Sequence, residues 1–248
     1  LHNTSFSIAL SKKIMSSISD NLQAVQQRIA AAARAVQRDP AEVALLAVSK
    51  TFGAQEVIDA AEARQRAFGE NYLQEALDKM VAVQAARPDL LLEWHFIGPI
   101  QSNKTRQIAE HFDWVHSVDR EKIAQRLSEQ RPPHLPPLNV CLQINISGET
   151  SKSGATPQQA VELAQQVAAL PHLKLRGLMA IPEPVDDLQA QRRPFRQLHN
   201  LLNELKTQGL MLDTLSMGMS ADLDAAIAEG ATIVRVGTAI FGKRDYAK

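Results

Sequence analysis

Lys50 closes the short apolar run Leu45-Leu46-Ala47-Val48-Ser49, which places a primary amine at the end of a β-like segment. Partial desolvation there lowers a lysine's pKa and frees the amine to condense with a carbonyl as a Schiff base. A solvated lysine at a strand end is the plain alternative, and position alone leaves both open. Further along, Ser216-Met217-Gly218-Met219-Ser220-Ala221-Asp222 sets two hydroxyls and a glycine just before a helical stretch. The first turn of a helix offers N–H groups without intrahelical partners and the positive end of the dipole, a setting for phosphate. Ser220 would serve equally as an ordinary N-cap, and Asp222 would repel a phosphate placed too near it. The next β-like run ends in Gly237-Thr238, which adds a close backbone approach and another hydroxyl. Arg235 interrupts that run, and two-residue alternation puts it on the face opposite Val234 and Val236. A guanidinium there either pairs with a carboxylate or donates to a ligand. Asn71 and His95 carry the same two readings, ligand contact or a satisfied turn or core residue. Cys141, inside a strand pattern, reads as inert packing.

These residues need a scaffold, and the chain's periodicity supplies one. A first helix is expected over Ser19 to Gln37, stopped by Asp39-Pro40. Eight β-rich runs then follow: Val43 to Ser49, Arg66 to Gly69, Glu93 to Gly98, Trp114 to Val118, Leu138 to Ile146, Leu173 to Ile181, Thr214 to Met219 and Thr232 to Phe241. Stretches of helical period separate them. Repeated strand-then-helix order implies parallel strands, and eight such units in 248 residues fit a (β/α)₈ barrel, with an open doubly wound sheet as the competitor. The fold class is α/β, a TIM barrel with an additional N-terminal helix. Residues 1–14 read as a disordered extension and 15–248 as a single barrel domain, with Met15 as a natural start. The Pro-rich stretch 131–137 sits inside the alternation and reads as a loop. In such a barrel the chemistry gathers at the C-terminal ends of the strands, where Lys50, Asn71, Ser220, Arg235, Gly237 and Thr238 all fall.

Composition narrows the function classes. Lys+Arg 27 against Asp+Glu 27 leaves a formal charge of +0, so no broad field attracts nucleic acid or an anionic membrane. Aromatics at 4% disfavour a base-stacking platform. One cysteine excludes internal disulfides and cysteine-cluster zinc sites, and fits a reducing, cytoplasmic setting. No HExxH, Walker A or GxGxxG motif occurs, so metal, nucleoside triphosphate and dinucleotide readings lack support. No apolar run approaches the 18 or more residues of a membrane span.

The segments LLAVSKT, FGENYLQEALDK, WHFIGPIQSNK, INISGETSKSG, LRGLMAI, LSMGMSADLDAAIAEGAT and VRVGTAIFG, from about residue 45 to 242, together closely resemble the YggS/PROSC family of pyridoxal 5′-phosphate (PLP) homeostasis proteins. The resemblance implies a single barrel of the alanine racemase N-terminal type, PLP fold type III, with the cofactor held as a Schiff base on Lys50. By the same matching Asn71 lies beside the cofactor ring, Ser220, Gly237 and Thr238 hold the phosphate, and Arg235 faces the pyridine nitrogen.

An always-charged Arg235 leaves that nitrogen unprotonated and weakens the ring as an electron sink. Alanine racemases, to which the fold is similar, also set an arginine there, but add a second domain that supplies an opposing acid/base across a dimer. Here Tyr72 and Tyr246 are the only tyrosines. The expectation is therefore a protein that stores, buffers or delivers PLP to amines or apo-enzymes, a monomer without efficient turnover. A weak amino-acid racemase is the alternative, and a Schiff-base aldolase acting on a phosphorylated sugar shares the lysine and phosphate logic but not the motifs.

Overall fold

Runs rich in Val, Ile and Leu become strands buried on both faces, and the amphipathic stretches between them become the helices that cover them. The computed structural model describes the backbone of residues 2–148 and 153–242, and the side chains from Ser17 onward. After helix α1 (His2–Ala35) come β1 (Ala44–Val48), α2 (Ala54–Glu62), β2 (Ala67–Glu70), α3 (Leu73–Ala86), β3 (Glu93–Phe96), α4 (Thr105–His111), β4 (Trp114–Val118) and α5 (Glu121–Gln130). The second half contains β5 (Leu138–Gln143), α6 (Pro157–Ala168), β6 (Leu173–Met179), α7 (Leu188–Thr207), β7 (Thr214–Ser216), α8 (Leu223–Ala228), β8 (Ile233–Val236) and α9 (Thr238–Phe241). The strands pair in chain order and β8 pairs with β1, every pairing parallel, so the sheet closes into an eight-stranded barrel. That disposes of the open sheet.

Alternation along each strand sorts its side chains. Leu46, Trp114, Cys141, Met179 and Ile233 form the smaller buried cluster, inside the barrel, while Ala47, Phe68, Val115, Val140 and Leu178 join the large core between strands and helices. Register shifts interrupt β4–β5 and β5–β6 pairing. At the start of α6, Thr156 Oγ1 accepts from Gln159 N and Gln159 Oε1 accepts from Thr156 N, a reciprocal cap with Pro157 in the first turn. The Pro-rich stretch 131–137 is a loop joining α5 to β5. Its buried Arg131 donates to the carbonyls of Ala109, Phe112 and Pro136, tying the loop to α4.

Several strands end two or three residues earlier than the sequence suggests, and two boundaries differ more substantially. The run Thr232 to Phe241 divides into β8 and the separate helix α9 on either side of Gly237. Residues 2–14, expected as a disordered extension, belong to α1. No Gly or Pro precedes Pro40, so nothing in the sequence stops that helix earlier. From Ile18 onward α1 buries Ile18, Leu22, Val25, Ile29 and Ala33 against the barrel, each large aliphatic side chain contributing about 1.5–3 kcal/mol. The same helix reaches the segments that follow β7 and β8. Asn21 Nδ2 donates to Ile240 O (2.9 Å), Arg28 Nη1 to Ser220 O (2.7 Å) and Arg28 Nη2 to Asp224 Oδ2 (2.6 Å). The helix outside the eightfold repeat thus braces the β7–α8 loop, α8 and α9 at one edge of the barrel mouth.

Candidate functional site

At the C-terminal ends of β1, β2 and β8 and in the loop after β7 lies a cavity of about 340 Å³. Lys50, Asn71, Ser220, Arg235, Gly237 and Thr238 all line it, so the structure brings together the six residues that sequence reading singled out from four separate strand ends. Val48, Phe52, Ile97, Ile181, Met219 and Ala221 complete its walls. Phe52 packs on Phe241 with ring centroids 5.1 Å apart, joining the loop after β1 to α9.

The β1 end is held by a buried polar cluster. Ser49 Oγ donates to Glu70 Oε1 (2.6 Å), and Lys79 Nζ donates to Glu70 Oε1 (2.6 Å), Ser49 O (2.8 Å) and Glu75 Oε1 (3.2 Å). Thr51, directly after Lys50, takes φ 68°, a left-handed conformation that costs a β-branched residue about 1–3 kcal/mol. Its N–H donates to Glu75 Oε1 (2.6 Å), which holds the turn. Burial raises the Glu70 carboxyl above the ordinary glutamate range, against the lowering pull of Lys79. Sequence reading missed Glu70 and Lys79. Glu70 at a strand end and a lysine nine residues on, facing back from α3, were the available signal.

Asn71 follows at the end of β2. Its Oδ1 is buried with no hydrogen-bond partner, in the wall of the cavity, and such a group costs about 1–3 kcal/mol unless a ligand or water satisfies it. The chain after β3 passes so close that a Cβ on Gly98 would fall on the Asn71 backbone carbonyl. Only glycine fits, and this contact fixes Asn71 in place.

Across the mouth, Gly218 turns the chain at φ 93°, where a Cβ would collide with Ala226. Asp222 Oδ1 accepts from Met219 N (2.6 Å), so the carboxylate is engaged within its own loop. Ser220 lies in this loop, whose backbone Arg28 grips from α1. Gly237 and Thr238 face it from the β8–α9 junction, and a Cβ on Gly237 would press on Val48 O at 3.0 Å.

Arg235 is buried, and its partners are neutral: Nη1 donates to Ser216 Oγ (2.8 Å) and Nη2 to Ala180 O (3.0 Å). Of the two sequence readings, carboxylate pairing is not the one adopted. Burial lowers the guanidinium to about 10, which leaves it charged at neutral pH. His95 does not line this cavity. It sits deeper in the barrel, bonded to Glu93 and His116. Cys141 is fully buried, in keeping with packing. Tyr246 and residues 149–152 of the segment INISGETSKSG lie outside the described residues.

The arrangement therefore offers an amine on one side, a cation deep in the floor, an unsatisfied amide oxygen beside them, and hydroxyls with a helix start opposite. The profile of the alanine racemase N-terminal domain matches residues 21–245. The chain belongs to this family. A Pseudomonas aeruginosa relative named pyridoxal phosphate homeostasis protein is 64% identical over 232 residues, covering 94% of this chain and 98% of that one. The Escherichia coli protein of the same name is 55% identical over 234 residues, covering 94% and 100%. Among solved structures, PipY of Synechococcus elongatus with PLP bound superposes with a TM-score of 0.77 at 38% identity, over 91% of this chain and 100% of that one. Alanine racemase from Corynebacterium glutamicum, at 19% identity and a TM-score of 0.62, shares the fold, and this chain spans 62% of it.

Proposed function

We propose that this protein binds pyridoxal 5′-phosphate at the mouth of its barrel and serves PLP homeostasis by holding and releasing the cofactor. PLP supplies an aldehyde that condenses reversibly with primary amines, together with a phosphate dianion and a weakly basic ring nitrogen. The residues present fit each part. Lys50 offers the amine, and Ser220, Gly237 and Thr238 offer hydroxyls and backbone amides at the braced edge of the mouth. Arg235 offers a fixed cation on the floor, a donor for an unprotonated ring nitrogen. The observation that carries the reading is Asn71 Oδ1, a buried acceptor left open in the same wall. The pyridoxal phosphate homeostasis proteins at 55–64% identity and the PLP-bound PipY structure point the same way.

What surrounds Lys50 among the described residues supports holding over turnover. Among the described residues that line the cavity, Lys50 and Arg235 are the only ionisable ones. Racemisation needs a second acid/base on the face opposite the lysine, within about 3 Å of the reacting carbon. Tyr72 is 53% exposed and outside the cavity lining. Among the described residues, the cavity lining offers a racemase reading no opposing acid/base. Two measurements on the holo-protein test the proposal. An apo-PLP enzyme mixed with it should regain activity, while α-deuterated amino acids keep their label over hours. Rapid loss of α-deuterium would overturn the carrier reading in favour of the racemase, and absence of any visible absorption after incubation with PLP would overturn cofactor binding itself.

A further inference from the structure

Arg235 is the end of a longer arrangement that runs down the inside of the barrel. Its Nη1 meets Ser216 Oγ at 2.8 Å, and Ser216 Oγ lies 2.7 Å from His116 Nδ1. His116 Nε2 lies 2.8 Å from His95 Nδ1, and His95 Nε2 lies 2.7 Å from Glu93 Oε1. Ser216, His116 and His95 are all buried to 2% exposure or less, whereas the Glu93 side chain is 50% exposed. Glu93 lines a second cavity of about 520 Å³ at the N-terminal end of the barrel, opposite the mouth. Five side chains from β3, β4, β7 and β8 thus bridge the barrel interior from base to candidate site.

The proton positions in this line are not independent. Arg235 can only donate, so Ser216 accepts from it and has its own hydrogen to give. A carboxylate can only accept, so Glu93 takes the N–H of His95 Nε2. His95 Nδ1 is then bare and must accept from His116 Nε2, which leaves His116 Nδ1 bare to accept from Ser216. Every link donates toward Glu93, and both imidazoles are neutral Nε2–H tautomers. The reverse order requires a protonated Glu93 and strands the Ser216 hydrogen between two donors. The surroundings agree with the first order. Burial lowers the pKa of both histidines, and the His95 bond holds Glu93 below the ordinary glutamate range.

We propose that Glu93, His95, His116 and Ser216 are positioning residues for Arg235: a one-way hydrogen-bonded line, anchored by the carboxylate at the barrel base, that fixes the guanidinium's orientation toward the cofactor ring. This rests on the PLP reading above and extends it to residues that never touch the ligand. Loss of the anchor frees both imidazoles to turn over, releases the Ser216 hydroxyl, and loosens Arg235 although the mouth itself is unaltered.

The direct test is the two-bond ¹H–¹⁵N correlation of the imidazoles in the full-length protein labelled with ¹⁵N-histidine. At pH 7 both His95 and His116 should appear as neutral Nε2–H tautomers. Either one found as Nδ1–H or as imidazolium would overturn the line, whether or not the protein takes up PLP. The second arm measures PLP affinity and the absorption spectrum of bound cofactor. Glu93→Leu and Ser216→Ala should each weaken binding about tenfold, the scale of one hydrogen bond to a charged group, and alter the spectrum. Glu93→Gln, which keeps an acceptor for His95, should recover most of both. Wild-type affinity and an unchanged spectrum in Glu93→Leu and Ser216→Ala would overturn the positioning role, whereas a wild-type protein that binds no PLP would sink the functional reading and leave the tautomer result to decide the line.

Discussion

Replacing Lys79 by Met removes the cation that ties α3 to the residue before Lys50. Lys79 and Glu70 are 3% and 0% exposed and 2.6 Å apart, and at an effective dielectric of about 20 such charges attract by about 6 kcal/mol. Desolvation of both groups offsets much of that, and measured losses on breaking one side of a buried pair are about 3–5 kcal/mol. Lys79→Met should cost that much in urea denaturation at neutral pH. The loss should also depend on pH. Burial raises the Glu70 carboxyl above its unfolded value and Lys79 is the main influence lowering it, so removing Lys79 raises it further. A carboxyl raised in the folded state contributes stability that is full below its unfolded pKa of 4.5 and is lost as pH climbs through the folded pKa. The cost of Lys79→Met should therefore be small near pH 4.5 and grow steadily toward pH 8. Adding Glu70→Gln, which removes the stranded charge but still accepts from Ser49, should restore more than half of the loss at pH 8. A cost below about 1 kcal/mol, or one independent of pH, would refute the reasoning.

Asn71→Leu removes the unsatisfied oxygen, so it should leave stability unchanged or higher by up to about 1 kcal/mol while PLP affinity falls. Equilibrium denaturation and fluorescence titration of the same preparation check both, and undiminished affinity would count against the assigned contact. The Cys141 thiol is fully buried and pushed up to about 12, so it should resist disulfide reagents in native buffer and react only on unfolding. Labelling within minutes of the folded protein would contradict the packing described. Gly98→Ala places a methyl group on the Asn71 carbonyl and should destabilise the protein by about 3 kcal/mol or more, read as a lower urea midpoint.

The barrel was legible because eight apolar runs alternate with amphipathic ones, and parallel order follows from the crossovers alone. The grouping of Lys50, Asn71, Ser220, Arg235, Gly237 and Thr238 was legible for a related reason: parallel strands closed into a ring bring all their C-terminal ends to one mouth. What sequence could not reveal depends on contacts between distant strands. Arg235 finds Ser216 and Ala180 rather than a carboxylate; Ser216 was legible only as a hydroxyl ahead of a helical stretch, and no local pattern marks Ala180. His116 shows only as a polar residue inside the apolar run Trp114–Val118, and its bond to Ser216 spans 100 residues. The end of β8 was misplaced because apolar residues continue past Gly237 in Ala239, Ile240 and Phe241, and such a short apolar run does not mark where strand gives way to helix. The role of α1 in bracing Ser220 and Ile240 was likewise invisible, since it is carried by single hydrogen bonds across about 200 residues of chain.

The central claim is a covalent hold on PLP by one lysine at the barrel mouth. Borohydride reduction of the PLP-loaded protein followed by peptide mapping tests it directly. The reduced cofactor should sit on Lys50, and Lys50→Ala should carry none. Cofactor found on another lysine, or an equal yield from Lys50→Ala, would contradict the account.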